Sequence, residues 1–173
     1  MFENEKKNCL GKIDKSRKGS IDLGILDLVE KLNKSDNYYT TSSCSGRIVL
    51  LKRGRKNESL WAFVSHNEIK FEDICNELED EVWFRFEPMI LHVACRTIED
   101  CQKIVDKARE CGFRRSGIQS IHKNIVEVSS SDYIETIIGG GLAGESYIQR
   151  LILEANKRMK ENKNKIKRFM DSV

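Results

Sequence analysis

Apolar residues recur at three- and four-residue spacing in three stretches of the chain. Ile21, Ile25, Leu28, Val29 and Leu32 predict a helix over 21–35, with Ser20 as its N-cap and a Ser-Asp-Asn run at 35–37 closing it. Ile98, Cys101, Ile104, Val105 and Ala108 predict a second helix, capped by Thr97 and stopped by Gly112. Tyr147, Leu151, Ala155 and Met159 predict a last helix over about 146–170. Between these lie short runs rich in β-branched and aromatic residues, which predict strands at 38–41, 48–52, 60–65, 82–87, 89–96, 117–122 and 125–130. Residues 1–19 are polar and predict no element, and an acidic helix is expected over about 68–79. Strands joined both by hairpins and by helices make the class α+β: a single compact domain over 1–173, with a mixed, mainly antiparallel sheet and helices packed on it.

One stretch does not fit a core. Residues 38–47 read YYTTSSCSGR, a paired tyrosine and a Gly-Arg enclosing Thr40, Thr41, Ser42, Ser43, Cys44 and Ser45. Each buried hydroxyl needs a partner, so the expectation is a strand that ends in a tight, donor-rich loop and starts again. Such a loop either offers N–H groups and hydroxyls to an anion or is a plain Ser/Gly turn.

Composition narrows the classes. With 39% hydrophobic and 33% charged residues and a single proline, the chain is globular. No apolar run approaches the length of a membrane span, and the first residues lack the apolar segment of a secretory signal, so a cytoplasmic location without membrane contact is expected. The six cysteines are then reduced thiols; none forms a CxxC pair, and no metal is expected. Net charge is only +3, yet it is uneven. Arg47, Lys52, Arg53, Arg55 and Lys56 carry no neighbouring acid, the last helix is basic, and 68–81 is acidic. Such patches suit a polyanion on one face, or simply a solvated surface.

The run Gly139-Gly140-Gly141-Leu142-Ala143-Gly144 fits GxGxxG and precedes a helix, but no second strand or acidic ribose partner follows. A Rossmann-type methyltransferase core is therefore not expected. A hinge, a ligand-lining backbone or a plain loop remains.

Candidate chemistry gathers in three places. In FEPMILHV (86–93), alternation sets Glu87 with Met89 and Leu91, and His92 with Pro88 and Ile90. A histidine in an apolar strand is a base or a hydrogen-bonded core residue. In GFRRSG (112–117), Arg114, Arg115, Ser116 and Gly117 suit a phosphate or carboxylate, or form an exposed connection. His66 stands at a strand end, where sites usually lie, and ranks above His92 and His122.

Taken together, DKSRKGSID (14–22), YYTTSSCSGRI (38–48), WAFVSH (61–66), FEPMILHV (86–93), GFRRSGI (112–118) and the helix bearing Ala155, Asn156 and Asn162 resemble the wybutosine-synthesis family of tRNA methyltransferases. The resembling branch methylates the imidazopurine base made from a guanosine beside the anticodon of tRNA-Phe. The resemblance covers residue 10 to about 169 and implies S-adenosylmethionine as methyl donor and tRNA-Phe as partner. On that basis His66, Glu87 and His92 are catalytic candidates. Ser42, Ser43, Ser45, Arg47, Arg114, Ser116 and Gly117 are cofactor-binding candidates, and Lys15, Arg53, Arg55, Lys56 and Arg115 are RNA-binding candidates. Asp14 and Asp22 stay open as bases, and Cys44 is not required as a nucleophile. A non-catalytic RNA-binding module is the alternative class. A small-molecule hydrolase built on Cys44 lacks an evident orienting partner. Oligomeric state is open.

Overall fold

The computed structural model describes residues 1–11, 21–53 and 59–173. Its elements are α1 (Phe2–Leu10), α2 (Leu26–Lys34), β1 (Tyr38–Cys44), β2 (Arg47–Arg53), β3 (Ser59–Ser65), β4 (Val82–Glu87), β5 (Ile90–Cys95), α3 (Ile98–Glu110), β6 (Gly117–Ser120), β7 (Ile125–Val128), β8 (Ile134–Ile138) and α4 (Glu145–Ser172). The strands form two four-stranded sheets, ordered β1-β5-β7-β6 and β3-β2-β4-β8. Every ladder among the described residues is antiparallel. The α+β class therefore holds, and the parallel βαβ arrangement of a Rossmann core is absent from them.

Contacts divide the chain into two compact units. One holds Met1–Ser45, Met89–Ser131 and Lys163–Val173; the other holds Gly46–Pro88 and Asp132–Asn162. In the first, α2, α3 and the end of α4 bury one face of the β1-β5-β7-β6 sheet. Leu28, Leu32, Leu91, Val93, Ile104, Phe113, Val126, Val128 and Phe169 lie in this core. Strand alternation leaves the polar side chains of β5 and β7 on the opposite face. In the second unit, Ile48, Leu50, Phe84, Phe86 and Ile138 meet Ile148, Ile152, Ala155 and Met159 of α4. Those four helix positions follow helical spacing, and each large buried side chain contributes about 1.5–3 kcal/mol.

Several expectations are corrected. The strand starting at Tyr38 does not stop at 41 but runs to Cys44, because its backbone pairs with β5 as far as Cys44 opposite Ile90. Its hydroxyls are presented from a ladder, and the turn is confined to Ser45 and Gly46, with Gly46 at φ +98°. The acidic helix over 68–79 is instead two short 3-10 turns, Phe71–Asp73 and Cys75–Glu77. Asp73 turns back to accept from the Lys70 N–H at 2.7 Å, and Asn156 grips the Ile69 backbone by bonds of 3.0 and 2.8 Å. Only Ile69 and Ile74 are buried there, too few for a helical stripe.

The helix expected over 21–35 begins as a 3-10 turn at Leu23–Ile25, and its proposed cap at Ser20 lies outside the described residues. Two elements went unforeseen. α1 is a polar helix whose Phe2 ring sits 5.3 Å from Tyr39, and β8 pairs with β4. The alternation expected to run through Pro88 breaks, since β4 and β5 belong to different sheets and proline cannot donate to a ladder. By contrast Thr97 caps α3 as read, accepting from the Asp100 N–H. Gly112, at φ +101°, ends that helix.

The GxGxxG run is a corner. Gly139, Gly140 and Gly141 all have positive φ, and Gly140 N–H donates to the Leu78 carbonyl at 3.1 Å. A Cβ on Gly139 would run into the carbonyl oxygen of Asp80.

Candidate active site

In the first unit, a chain of polar side chains crosses three strands. Ser42 pairs with His92, and His92 pairs with Glu127. Ser42 Oγ lies 2.6 Å from His92 Nδ1, and His92 Nε2 lies 3.3 Å from Glu127 Oε2. The Ser129 hydroxyl donates to Glu127 Oε1 at 3.1 Å. An ionised Glu127 accepts from Nε2–H, which leaves Nδ1 to accept from the Ser42 hydroxyl. Ser42 is exposed, while the side chains of His92 and Glu127 are 20% and 33% exposed. The chain therefore opens to solvent at its serine end.

β1 is bulged to make this possible. Thr40 faces Val93 and Ser42 faces His92, so Thr41 has no partner position on β5. Ser45, by contrast, is buried, and both its N–H and its hydroxyl donate to Asp22 Oδ2, at 3.0 and 3.3 Å.

The GFRRSG turn separates into two roles. Arg114 and Arg115 are exposed. Ser116 is 1% exposed; its hydroxyl donates to the Phe113 carbonyl at 2.7 Å and accepts from the Ser129 N–H at 3.2 Å. That hydroxyl closes the turn. Gly117 opens β6 opposite Glu127 and adds no side chain beside it.

In the second unit, Arg47 and Glu87 are paired across β2 and β4, with Nε 2.6 Å from Oε2. The Arg47 guanidinium lies over the Trp61 ring, 4.4 Å from its centroid. A similar group stands along β4: Arg85 Nη2 meets Glu135 Oε1 at 2.7 Å and the guanidinium lies 5.9 Å from Trp83. His66 follows β3, and its Nδ1–H donates to the Gly46 carbonyl at 2.9 Å. In a neutral ring this makes Nε2 the basic nitrogen.

The structure thus bonds Ser42 to His92 in one unit and Arg47 to Glu87 in the other. Reading the sequence missed Glu127, Ser129 and Trp61. The alternation of Ile125, Val126, Glu127 and Val128 already set Glu127 off the core face, but its partner on β5 depends on a non-local register. Among the thiols, burial pushes the Cys95 sulfur well above the ordinary thiol range and also raises Cys101. Both sit in the core as small apolar groups.

The family model described as Methyltransferase TYW3 matches residues 4–173. This chain belongs to the TYW3 methyltransferase family. It is 38% identical to a human protein called tRNA wybutosine-synthesizing protein 3 homolog, over 99% of this chain and 72% of that one. It is 35% identical to a protein of Pyrococcus furiosus named tRNA(Phe) 7-((3-amino-3-carboxypropyl)-4-demethylwyosine(37)-N(4))-methyltransferase 1, over 99% and 94%. The solved structure of the PH1069 protein from Pyrococcus horikoshii matches with a TM-score of 0.88 at 35% identity, covering 98% of this chain and 94% of that one.

The family's α+β fold agrees with the two antiparallel sheets, and this TYW3 chain is a methyltransferase of wybutosine biosynthesis. Of its RNA-binding candidates, Lys15, Arg55 and Lys56 lie outside the described residues, as does the side chain of Arg53 at the end of β2; Arg115 is exposed. Among the described residues, no helix is long and apolar enough to cross a membrane.

Proposed function

We propose that this TYW3-family enzyme transfers a methyl group from S-adenosylmethionine to the N4 nitrogen of the tricyclic wyosine precursor beside the anticodon of tRNA-Phe. The observation that carries the reading is the 2.6 Å contact of Ser42 with His92 at an exposed strand surface. The acceptor nitrogen must lose a proton when it gains a methyl group, and a histidine is suited to take it near neutral pH.

S-adenosylmethionine brings an ammonium, a carboxylate, ribose hydroxyls and an electrophilic methyl on sulfonium. The donor sets of this chain fit those groups. Arg47 and Glu87 present a cation and an anion side by side, as an amino-carboxylate zwitterion requires. Arg47 and Glu87 of the second unit would hold the donor's amino-carboxylate end. In the first unit, Ser42 and Arg114 are exposed donors, and His92 would take the proton. His66, whose Nε2 is basic when the ring is neutral, is the second candidate base. Alignment of nitrogen and methyl supplies much of the acceleration in a displacement of this kind.

The test is transfer of labelled methyl from S-adenosylmethionine to tRNA-Phe bearing the tricyclic precursor, with tRNA-Phe bearing the fully methylated base as control. Label appearing only in the first supports the reading. Salt-sensitive tRNA binding with no S-adenosylmethionine uptake by calorimetry would replace it with a non-catalytic RNA-binding module.

A further inference from the structure

We propose that Ser42, His92 and Glu127 act as a proton relay, in which the Ser42 hydroxyl meets the acceptor nitrogen and Glu127 is the positioning residue for His92. This inference rests on the methyltransferase reading above. Both ring nitrogens of His92 are engaged, Nδ1 by Ser42 and Nε2 by Glu127. The imidazole therefore has no nitrogen directed at a ligand while those bonds stand. The group of the chain open to solvent is Ser42. A proton can reach His92 without breaking the chain only by arriving at Ser42 Oγ as the hydroxyl proton passes to Nδ1.

The step balances. The nitrogen–methyl bond forms with the nitrogen's electron pair, and the carbon–sulfur bond breaks with its pair going to sulfur. The N–H proton goes to Ser42 Oγ, and the serine's own proton goes to Nδ1. The ring becomes imidazolium, and it returns that proton to water by the same path.

Glu127 has two effects on this ring. It holds the Nε2–H tautomer, the one that makes Nδ1 basic, and it stabilises the imidazolium once formed. The carboxylate is itself held, by the Ser129 hydroxyl at 3.1 Å. On β5 the neighbours of His92 on this face are Ile90 and Ala94. On β1 they are Ser42, Tyr39 opposite Ala94 and, opposite Ile90, the Cys44 thiol; β7 supplies Glu127, and β6 supplies Gly117 opposite Glu127. Glu127 is thus the charged group that faces His92 from the strands packed beside it in this unit.

Two readouts test the relay on the whole chain. The first needs neither donor nor tRNA: long-range proton–nitrogen NMR of the histidine rings, of which the chain has 3. Wild-type His92 is expected in the Nε2–H tautomer, and Glu127→Gln is expected to let the ring share both tautomers. Ser129→Ala, which loosens the carboxylate without removing it, is expected to shift the tautomer ratio by less, and serves if the glutamine variant does not fold. The second is the steady-state kinetics of methyl transfer. Ser42→Ala and Glu127→Gln are expected to lower kcat by about 10- to 100-fold with KM for tRNA little changed. Glu127→Asp recovers part of the loss. An unchanged tautomer in both Glu127→Gln and Ser129→Ala, an Nδ1–H tautomer in the wild type, or full kcat in Ser42→Ala would overturn the relay. A wild-type protein that transfers no methyl at all would instead overturn the function on which it rests.

Discussion

Ser42 stands opposite His92 because β1 carries one residue more than β5 between Thr40 and Ser42. In a regular ladder, Thr41 would occupy that place. Thr41 is exposed and outside the pairing, whereas Ser42 bonds the ring. Thr41→Ala is therefore expected to leave stability within about 0.5 kcal/mol and methyl transfer within about two-fold of wild type. His92→Gln is expected to lower kcat by about 100-fold or more while the fold survives. Single-turnover assays beside thermal melts separate the two, and equal losses in both variants would contradict this assignment of the bulge.

The Arg47–Glu87 pair predicts a binding defect and not a folding one. Arg47 lies flat on Trp61 while its Nε reaches Glu87, a geometry that a lysine ammonium cannot reproduce. Both charged side chains are partly exposed, so the pair itself adds little stability. Arg47→Lys and Glu87→Gln are expected to weaken S-adenosylmethionine binding about ten-fold by calorimetry, with melting temperatures close to wild type. Unaltered affinity in both variants would remove the donor's amino-carboxylate from this pair.

Binding of tRNA should carry an electrostatic signature. Lys157, Lys163 and Lys167 lie along the exposed side of α4, and Arg114 and Arg115 are exposed in the turn after α3. Each such cation that meets a phosphate adds about 0.9 to the slope of log affinity against log salt on a duplex. Lys157→Glu and Lys167→Glu are each expected to reduce that slope by about one without changing the affinity for S-adenosylmethionine. A slope unmoved by either would place the tRNA backbone elsewhere.

Much of this fold was legible from periodicity, and the site was legible only in part. Helical spacing marked α3 and α4, and a threonine followed by an acidic turn marked the cap. Residues such as His92 and Glu87 stood out because they interrupt apolar strands. What escaped were relationships set by register. No local signal says that β1 bulges at Thr41 or that Glu127 on β7 pairs with His92 on β5; those facts depend on which strands meet. The hydroxyl-rich stretch looked like a loop because its polarity is high. In a ladder the backbone is satisfied by its neighbour, so the side chains are spared for other partners. α1 and β8 went unread because one buries no residue and the other is a five-residue strand beside a glycine run.

That glycine run gives a sharp stability prediction. Gly139 has φ +79°, and a side chain there would collide with the Asp80 backbone. Gly144, before α4, has open space around its Cβ position and no positive φ. Gly139→Ala is expected to cost roughly 2–3 kcal/mol or more, and Gly144→Ala, at the N-cap of α4, only about 1 kcal/mol or less. Urea unfolding of the two variants checks this. A tolerated Gly139→Ala would mean that the corner is not held where Asp80 blocks it.

Asp100 is 5% exposed in the first turn of α3. Its carboxylate accepts from Lys103 Nζ at 3.0 Å and from the Thr97 hydroxyl at 3.1 Å. The bond from Lys103, followed by those from Thr97, outweighs burial and holds the carboxyl below its ordinary value of 3.8. A carboxyl with a lower pKa folded than unfolded stabilises the fold above the unfolded value, and that contribution is lost as pH falls through the folded value. Asp100→Asn should therefore be less stable than wild type at pH 7, and the difference should shrink as the pH falls below the ordinary value of 3.8 and through the lower folded value. Thr97→Ala removes the cap itself and should cost about 1 kcal/mol. Because its hydroxyl also supports the charged form of Asp100, part of that cost should fade over the same window. Urea midpoints measured from pH 7 down to pH 2.5 decide the matter: a difference between Asp100→Asn and wild type that stays constant across the window would show that the carboxylate's charge contributes nothing to holding the start of α3.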